Sequence, residues 1–159
     1  MSDELKSSAQ KVQKALQAQG LNCEIVQMQE TTRTAKDAAQ AVGCEVGQIV
    51  KSLIFKSKQS RKPILVVASG ANRVNEKVLG QQISEPVKMA NAEFVREMTG
   101  FAIGGVPPVG HQHPLTIFID EDLLQYEEIW AAAGTPHAVF KLTPNELKMI
   151  TDGKVISVK

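Results

Sequence analysis

The sequence predicts an α+β fold, a mixed β-sheet with helices packed around it. Two observations carry this expectation. Strand-like runs come singly and in hairpins, and helical runs are interspersed among them without the strict alternation of a doubly wound parallel sheet. A third observation sets the scale. The 159 residues are 43% apolar and 22% charged, which suits one domain with a real core spanning residues 1–159.

Residues 5–19 carry Val12, Ala15, Leu16 and Ala18 among Lys and Gln, an amphipathic helix closed by Gly20. "CEIVQM" follows as a strand. "TAKDAAQAVG" reads as an Ala-rich helix with Thr34 as its cap and Gly43 at its end. "QIVKSLIFK", the polar turn "SKQSRKP" and "ILVVAS" form a hairpin with a long basic connection. "NEKVLGQQI" and "NAEFVREMTG" are two short helices, the second capped by Asn91 and stopped by Gly100. After the segment "FAIGGVPPVGHQHP" come the strands "LTIFID", "EEIWAAAG" and "HAVFKL". "TPNELKMITDG" is a helix with Thr143 as cap, Pro144 in its first position and Glu146 completing a capping box. "KVISVK" is the last strand.

Several function classes lose support on composition. A formal net charge of +1 argues against a protein gripping many phosphates, though not against one that handles the end of a nucleic acid. No apolar run reaches the roughly 20 residues that span a bilayer. The opening "MSDELKSSAQK" lacks the apolar core of a signal peptide. Cys23 and Cys44 share no metal or redox spacing and read as buried or idle thiols. The expected location is the cytoplasm.

Four features could carry chemistry. Lys51 stands between Ile49-Val50 and Leu53-Ile54-Phe55, where burial is expected. Its stem could lie on apolar surface with the ammonium in water, or the ammonium could be held in a cleft to meet a single anionic group or carbonyl oxygen. His111 and His113 would face one way in an extended segment, and His137 could complete a zinc site, but no carboxylate lies beside them and Pro114 follows directly. Residues 104–110 form a Gly- and Pro-rich loop. Its glycines permit close backbone approach and its prolines stiffen it, so it could offer preorganised amides to a developing oxyanion, or be a tight crossover and nothing more. Lys56, Lys58, Arg61 and Lys62 form a basic cluster, either a solvated turn or a surface that brushes a nucleic-acid backbone. There is no nucleophile elbow, P-loop or dinucleotide fingerprint.

Taken in order, "TTRTAKDAAQAVG", the lysine in "IVKSLIF", "SGANRVNEKVL", the loop "IGGVPPVGH", "LTIFID", "AAAGTPHAVFKLTPNEL" and the final "VISV" resemble the YbaK/prolyl-tRNA synthetase-associated editing domains, free-standing trans-editing deacylases. The likeness runs from about Leu5 to Val158. It implies a mixed, partly barrel-like sheet wrapped by helices. It implies hydrolysis of the ester joining a wrong amino acid (Ala, Cys, Ser or Thr) to tRNA-Pro, without cofactor or metal. The family's essential lysine falls on Lys51 and its G-x-x-x-P loop on residues 104–108, so Lys51 and the amides of Gly104, Gly105 and Val106 become the catalytic candidates. Substrate-binding roles are implied for Thr31, Thr34, Pro107, Pro108, Arg73 and His137. Many relatives carry an acidic residue where this chain has Asn72, which sets Asn72 and Arg73 apart from the pattern. The implied partners are the aminoacyl-tRNA acceptor end and prolyl-tRNA synthetase, with no membrane and no DNA. A non-catalytic module for nucleotide or tRNA ends and a His-based metallohydrolase are the competing expectations.

Overall fold

The computed structural model describes residues 7–159. Residues 1–6, and with them the predicted start of the first helix at Leu5, lie outside the described residues. Five helices and eight strands follow one another as α1 (Ser7–Ala18), β1 (Ile25–Gln27), α2 (Ala35–Val42), β2 (Ile49–Ser57), β3 (Pro63–Ser69), α3 (Glu76–Ile83), β4 (Val87–Met89), α4 (Ala92–Thr99), β5 (Thr116–Asp120), β6 (Ile129–Ala132), β7 (Ala138–Leu142), α5 (Pro144–Thr151) and β8 (Lys154–Ile156).

Helix boundaries fall where local chemistry places them. Thr34 accepts the Asp37 N–H at 3.0 Å and starts α2, and Asn91 accepts the Phe94 N–H at 2.8 Å and starts α4. Thr143 and Glu146 exchange their side-chain and backbone bonds in the predicted capping box of α5. The sequence reading missed β4 and two 3₁₀ turns, Val46–Gln48 and Glu121–Gln125. Three residues are too few to show a period, and β4 exists because it pairs onto the end of β2.

The sheet is mixed, in the order β1-β7-β6-β2-β3-β5-β8, with β4 added to β2 off that path. The β2–β3, β2–β4, β6–β7 and β1–β7 pairs are antiparallel, whereas β2–β6, β3–β5 and β5–β8 are parallel. Its strand β3 is covered on both faces. Leu65 and Val67 of β3 enter the main core with Val12, Leu16, Phe140 and Leu147, while Ile64, Val66 and Ala68 meet Phe55, Leu79 and Phe118 on the other side. A strand buried on both faces needs a continuous apolar run, which is why "ILVVAS" shows no alternation.

Candidate functional site

The site opens where strand pairing of β2 forks. On one edge β3 accompanies β2 from Val50 to Lys56. On the other, β6 pairs only with Ile49 and Val50, and β4 only with Phe55, Lys56 and Ser57. Residues 51–53 therefore face a gap between two strands. A cleft of about 270 Å³ occupies it, lined by Lys51, Ser52 and Leu53 on one wall and by Ala131, Ala132 and Val139 opposite. Residues 32–35, at the start of α2, and Ile103, Gly104 and Val106 of the loop close its remaining sides.

Lys51 is half-buried, and its Nζ donates to the Asn72 carbonyl oxygen at 2.5 Å. Burial pushes its pKa below the usual lysine value, with the Asp120 carboxylate pulling the other way. Asn72 is held in turn. Its Nδ2 donates to Asp120 Oδ2 at 2.8 Å and to Asp122 Oδ2 at 2.7 Å, using both amide hydrogens. Asp120 is fully buried and also accepts the N–H of Ser69 and of Asp122. An acidic side chain at position 72 would face two carboxylates, so the amide fits this frame.

The loop approaches the cleft as bare backbone. Gly104 has φ +93°, a conformation that favours glycine, and a Cβ there would sit 2.7 Å from Cγ of Arg33. A Cβ on Gly105 would meet the Thr135 backbone at 2.9 Å, because the Gly105 carbonyl accepts the Gly134 N–H at 2.9 Å and pulls the two segments together. The Gly105 N–H is itself spent on Ala102 O at 3.0 Å, so it is not free to bind an oxyanion. The N–H groups of Gly104 and Val106 have no protein acceptor among the described residues, and both residues line the cleft. Val106 and Val109 are buried in the main core, and His111 Nε2 lies 2.7 Å from Pro107 O, which fixes the loop from behind.

The structure thus brings Lys51, Thr34, Gly104 and Val106 to one cleft. The Thr34 hydroxyl already accepts a helix-capping bond from Asp37. Pro107 and Pro108 are buried behind the lining. Thr31, Arg73 and His137 are exposed and off the lining, with Thr31 accepting the Arg33 N–H and His137 Nδ1 lying 3.2 Å from Glu30 O. Among the described residues no three His, Cys, Asp or Glu side chains converge as metal ligands, and Cys23 and Cys44 are free thiols.

Among the lining residues that escaped the sequence reading, three have polar side chains beside the candidate site, Thr32, Arg33 and Ser52. Thr32 is buried and bonds Pro136 O through both its N–H, at 2.6 Å, and its hydroxyl, at 2.9 Å. Arg33 lies on Gly104. Ser52 Oγ is buried without a hydrogen-bond partner among the described residues. Only Ser52 left a sequence signal, as a polar residue beside Lys51 in an otherwise apolar run.

Comparison with known proteins bears on the family and the fold. The model of the aminoacyl-tRNA editing domain matches residues 29–150. YwhH of Bacillus subtilis (strain 168) is 30% identical over 132 residues, covering 83% of each chain. EbsC of Enterococcus faecalis (strain ATCC 700802 / V583), whose name proposes a Cys-tRNA(Pro)/Cys-tRNA(Cys) deacylase, is 25% identical over 79% of this chain and 76% of its own. Proline--tRNA ligase of Limosilactobacillus fermentum (strain NBRC 3956 / LMG 18251) is 34% identical over 94 residues, which is 57% of this chain but 16% of the ligase. A crystal structure proposed as a trans-editing enzyme for prolyl-tRNA synthetase superposes with a TM-score of 0.92 at 50% identity, over 98% of this chain and 99% of that one. The chain belongs to the aminoacyl-tRNA editing domain family.

Proposed function

We propose that this editing domain is a deacylase acting in trans on tRNA-Pro mischarged with a small amino acid, Ala, Cys, Ser or Thr. The observation that carries the reading is one cleft lined by a half-buried lysine and by Gly104 and Val106, whose backbone N–H groups have no protein acceptor among the described residues. An activated ester needs a positioned water and a stabilised tetrahedral oxyanion more than a covalent nucleophile. Water adds to the ester carbonyl, and its oxygen takes up negative charge against the two amides. Collapse of the intermediate breaks the bond to the ribose oxygen, which takes a proton, and releases free amino acid and tRNA. The vicinal ribose hydroxyl of the substrate assists the water, as the family resemblance implies. Lys51 presents its ammonium to the substrate from a fixed position, because Asn72 holds it.

The apolar wall of Ile49, Ala131 and Val139 suits a small side chain. One methylene is worth about 1–3 kcal/mol in such a pocket, so selection among the four amino acids rests on these few contacts. Lys58, Arg61 and Lys62 are exposed on the hairpin about 20 Å along β2 from Lys51, at a rise of roughly 3.3 Å per residue. That placement supports contact with the acceptor end beyond the terminal nucleotide. The proposal places the protein in the cytoplasm, beside prolyl-tRNA synthetase.

The test is a deacylation panel of tRNA-Pro charged with Ala, Ser, Thr, Cys and Pro, with and without chelator. Turnover on a small non-cognate ester, insensitive to chelator and reduced about 100-fold or more in Lys51→Ala, is the expected result. Binding with no turnover on any member makes the protein a tRNA-end module instead. Loss of turnover with chelator would point to a metallohydrolase.

A further inference from the structure

We propose that Arg33 forms a phosphate-binding subsite at the rim of the cleft, holding the phosphate on the 5′ side of the terminal adenosine. The proposal rests on the deacylase reading for the identity of its ligand, and it separates two roles that a single lysine would otherwise share. Arg33 is exposed yet lines the cleft. The ion pairs formed among the described residues are Lys141–Glu128 and Lys159–Asp122, so no carboxylate there neutralises the Arg33 guanidinium. Its position is fixed by packing rather than by charge. The stem lies so close over Gly104 that a Cβ on that glycine would stand 2.7 Å from Cγ and 3.2 Å from Nε. The glycine thus does two things: it turns the backbone at φ +93°, and it leaves room for the arginine.

Lys51 is poorly suited to the same task. Its ammonium is half-buried and already donates to Asn72 O. A phosphodiester carries its charge on two oxygens, which matches the planar fork of a guanidinium better than a compact ammonium with one donor spent. With phosphate on Arg33 at the rim, the ribose and its ester extend inward past Gly104 toward Lys51.

Trp130 is the only tryptophan of the chain and lines the cleft, so its fluorescence reports binding without turnover. Adenosine, adenosine 5′-monophosphate and inorganic phosphate are titrated into wild type, Arg33→Ala and Arg33→Lys. The monophosphate is expected to bind wild type about tenfold or more tighter than adenosine. Arg33→Ala should abolish that difference and leave adenosine unchanged, and Arg33→Lys should keep part of it. A difference that survives Arg33→Ala, or none in wild type, overturns the proposal. So does inorganic phosphate competing as well as the nucleotide, which would mean an adventitious anion only.

A second arm uses 2′(3′)-O-alanyl-adenosine and its 5′-monophosphate as esters. Arg33→Ala should raise KM for the phosphorylated ester alone, with kcat held. Equal effects on both esters also overturn the proposal. If no protein turns over either ester, the deacylase reading falls, while the fluorescence titration still decides the role of Arg33.

Discussion

The hairpin turn at residues 57–63 and the loop at residues 101–114 look alike in sequence, since both are polar or Gly/Pro-rich breaks between apolar runs. Their backbones differ. In the hairpin every N–H from Ser57 to Lys62 has an acceptor: Lys62 O, Pro86 O, Glu85 Oε1 twice, Ser57 O and Ser57 Oγ in turn. In the loop, between Ile103 and Gly110, only Gly105 donates to a protein acceptor among the described residues. Yet the loop is the better anchored in the core, through Phe101, Val106 and Val109. A segment that is rigidly packed but leaves its donors unused is prepared to meet a ligand. The hairpin uses its donors on itself and offers only side chains.

Breaking the loop's position should have the largest effect. Gly105→Ala places a methyl 2.9 Å from the Thr135 backbone, which cannot yield as a flexible side chain would. The loop must shift, and a displacement near 1 Å in a catalytic group costs about 100-fold in rate. Deacylation at saturating substrate should fall by that order while circular dichroism remains native. A variant of unchanged activity would remove the loop from the chemistry.

The pin behind the loop gives a pH test. Burial lowers the pKa of His111 below its ordinary value of 6.5, although its bond to Pro107 O works in the other direction. The unfolded chain therefore takes up a proton more readily than the folded one. Stability from this group is complete above pH 6.5 and is lost as pH falls through 6.5 toward the lower folded value, at a slope of at most about 1.4 kcal/mol per pH unit. The urea midpoint should drop between pH 7.5 and 5.5 in wild type and drop less in His111→Gln. Equal drops would mean that His111 does not couple the loop to protonation.

Ser52 is a matter of stability alone. Its hydroxyl is buried without a partner, so Ser52→Ala removes a desolvated polar atom and should leave the urea midpoint unchanged or higher. Because Oγ is closed off from the cleft, kcat/KM should stay near the wild-type value. A lower midpoint would mean that the hydroxyl has a partner in solution.

What the sequence made legible was local. Caps at Thr34, Asn91 and Thr143 act within three residues, so their spacing identifies them. Lys51 stood out as a cation in an apolar strand, and the loop through its glycines and prolines. The missed features depend on distant partners. Thr32 bonds Pro136, 104 residues away, and Arg33 matters because Gly104 lies beneath it. The cleft exists because β6 leaves β2 after Val50, a consequence of sheet order that no local pattern encodes. The unused amide of Gly104 and the spent amide of Gly105 are adjacent in sequence and distinguishable only in three dimensions.

The smallest expected effect comes from the hairpin and completes the contrast. Glu85 accepts the N–H of Gln59 at 3.1 Å and of Ser60 at 2.9 Å through Oε1, and the Ser60 hydroxyl at 2.9 Å through Oε2. These bonds hold its carboxyl below the ordinary value of 4.5, the Ser60 backbone bond most of all. The stability they bring is present above pH 4.5 and is lost as pH falls through the folded value. Because the site is exposed, water replaces the lost acceptor in Glu85→Ala, and the urea midpoint at pH 7 should decrease only slightly. The substitution also removes a negative charge beside Lys58, Arg61 and Lys62, so KM for charged tRNA should fall modestly at low salt and converge with wild type as salt screens the cluster. The rate at saturation should not change, since no donor of this turn faces the cleft. A loss of that rate comparable to Gly105→Ala would mean that the hairpin, with its backbone fully satisfied, reaches the reacting ester after all.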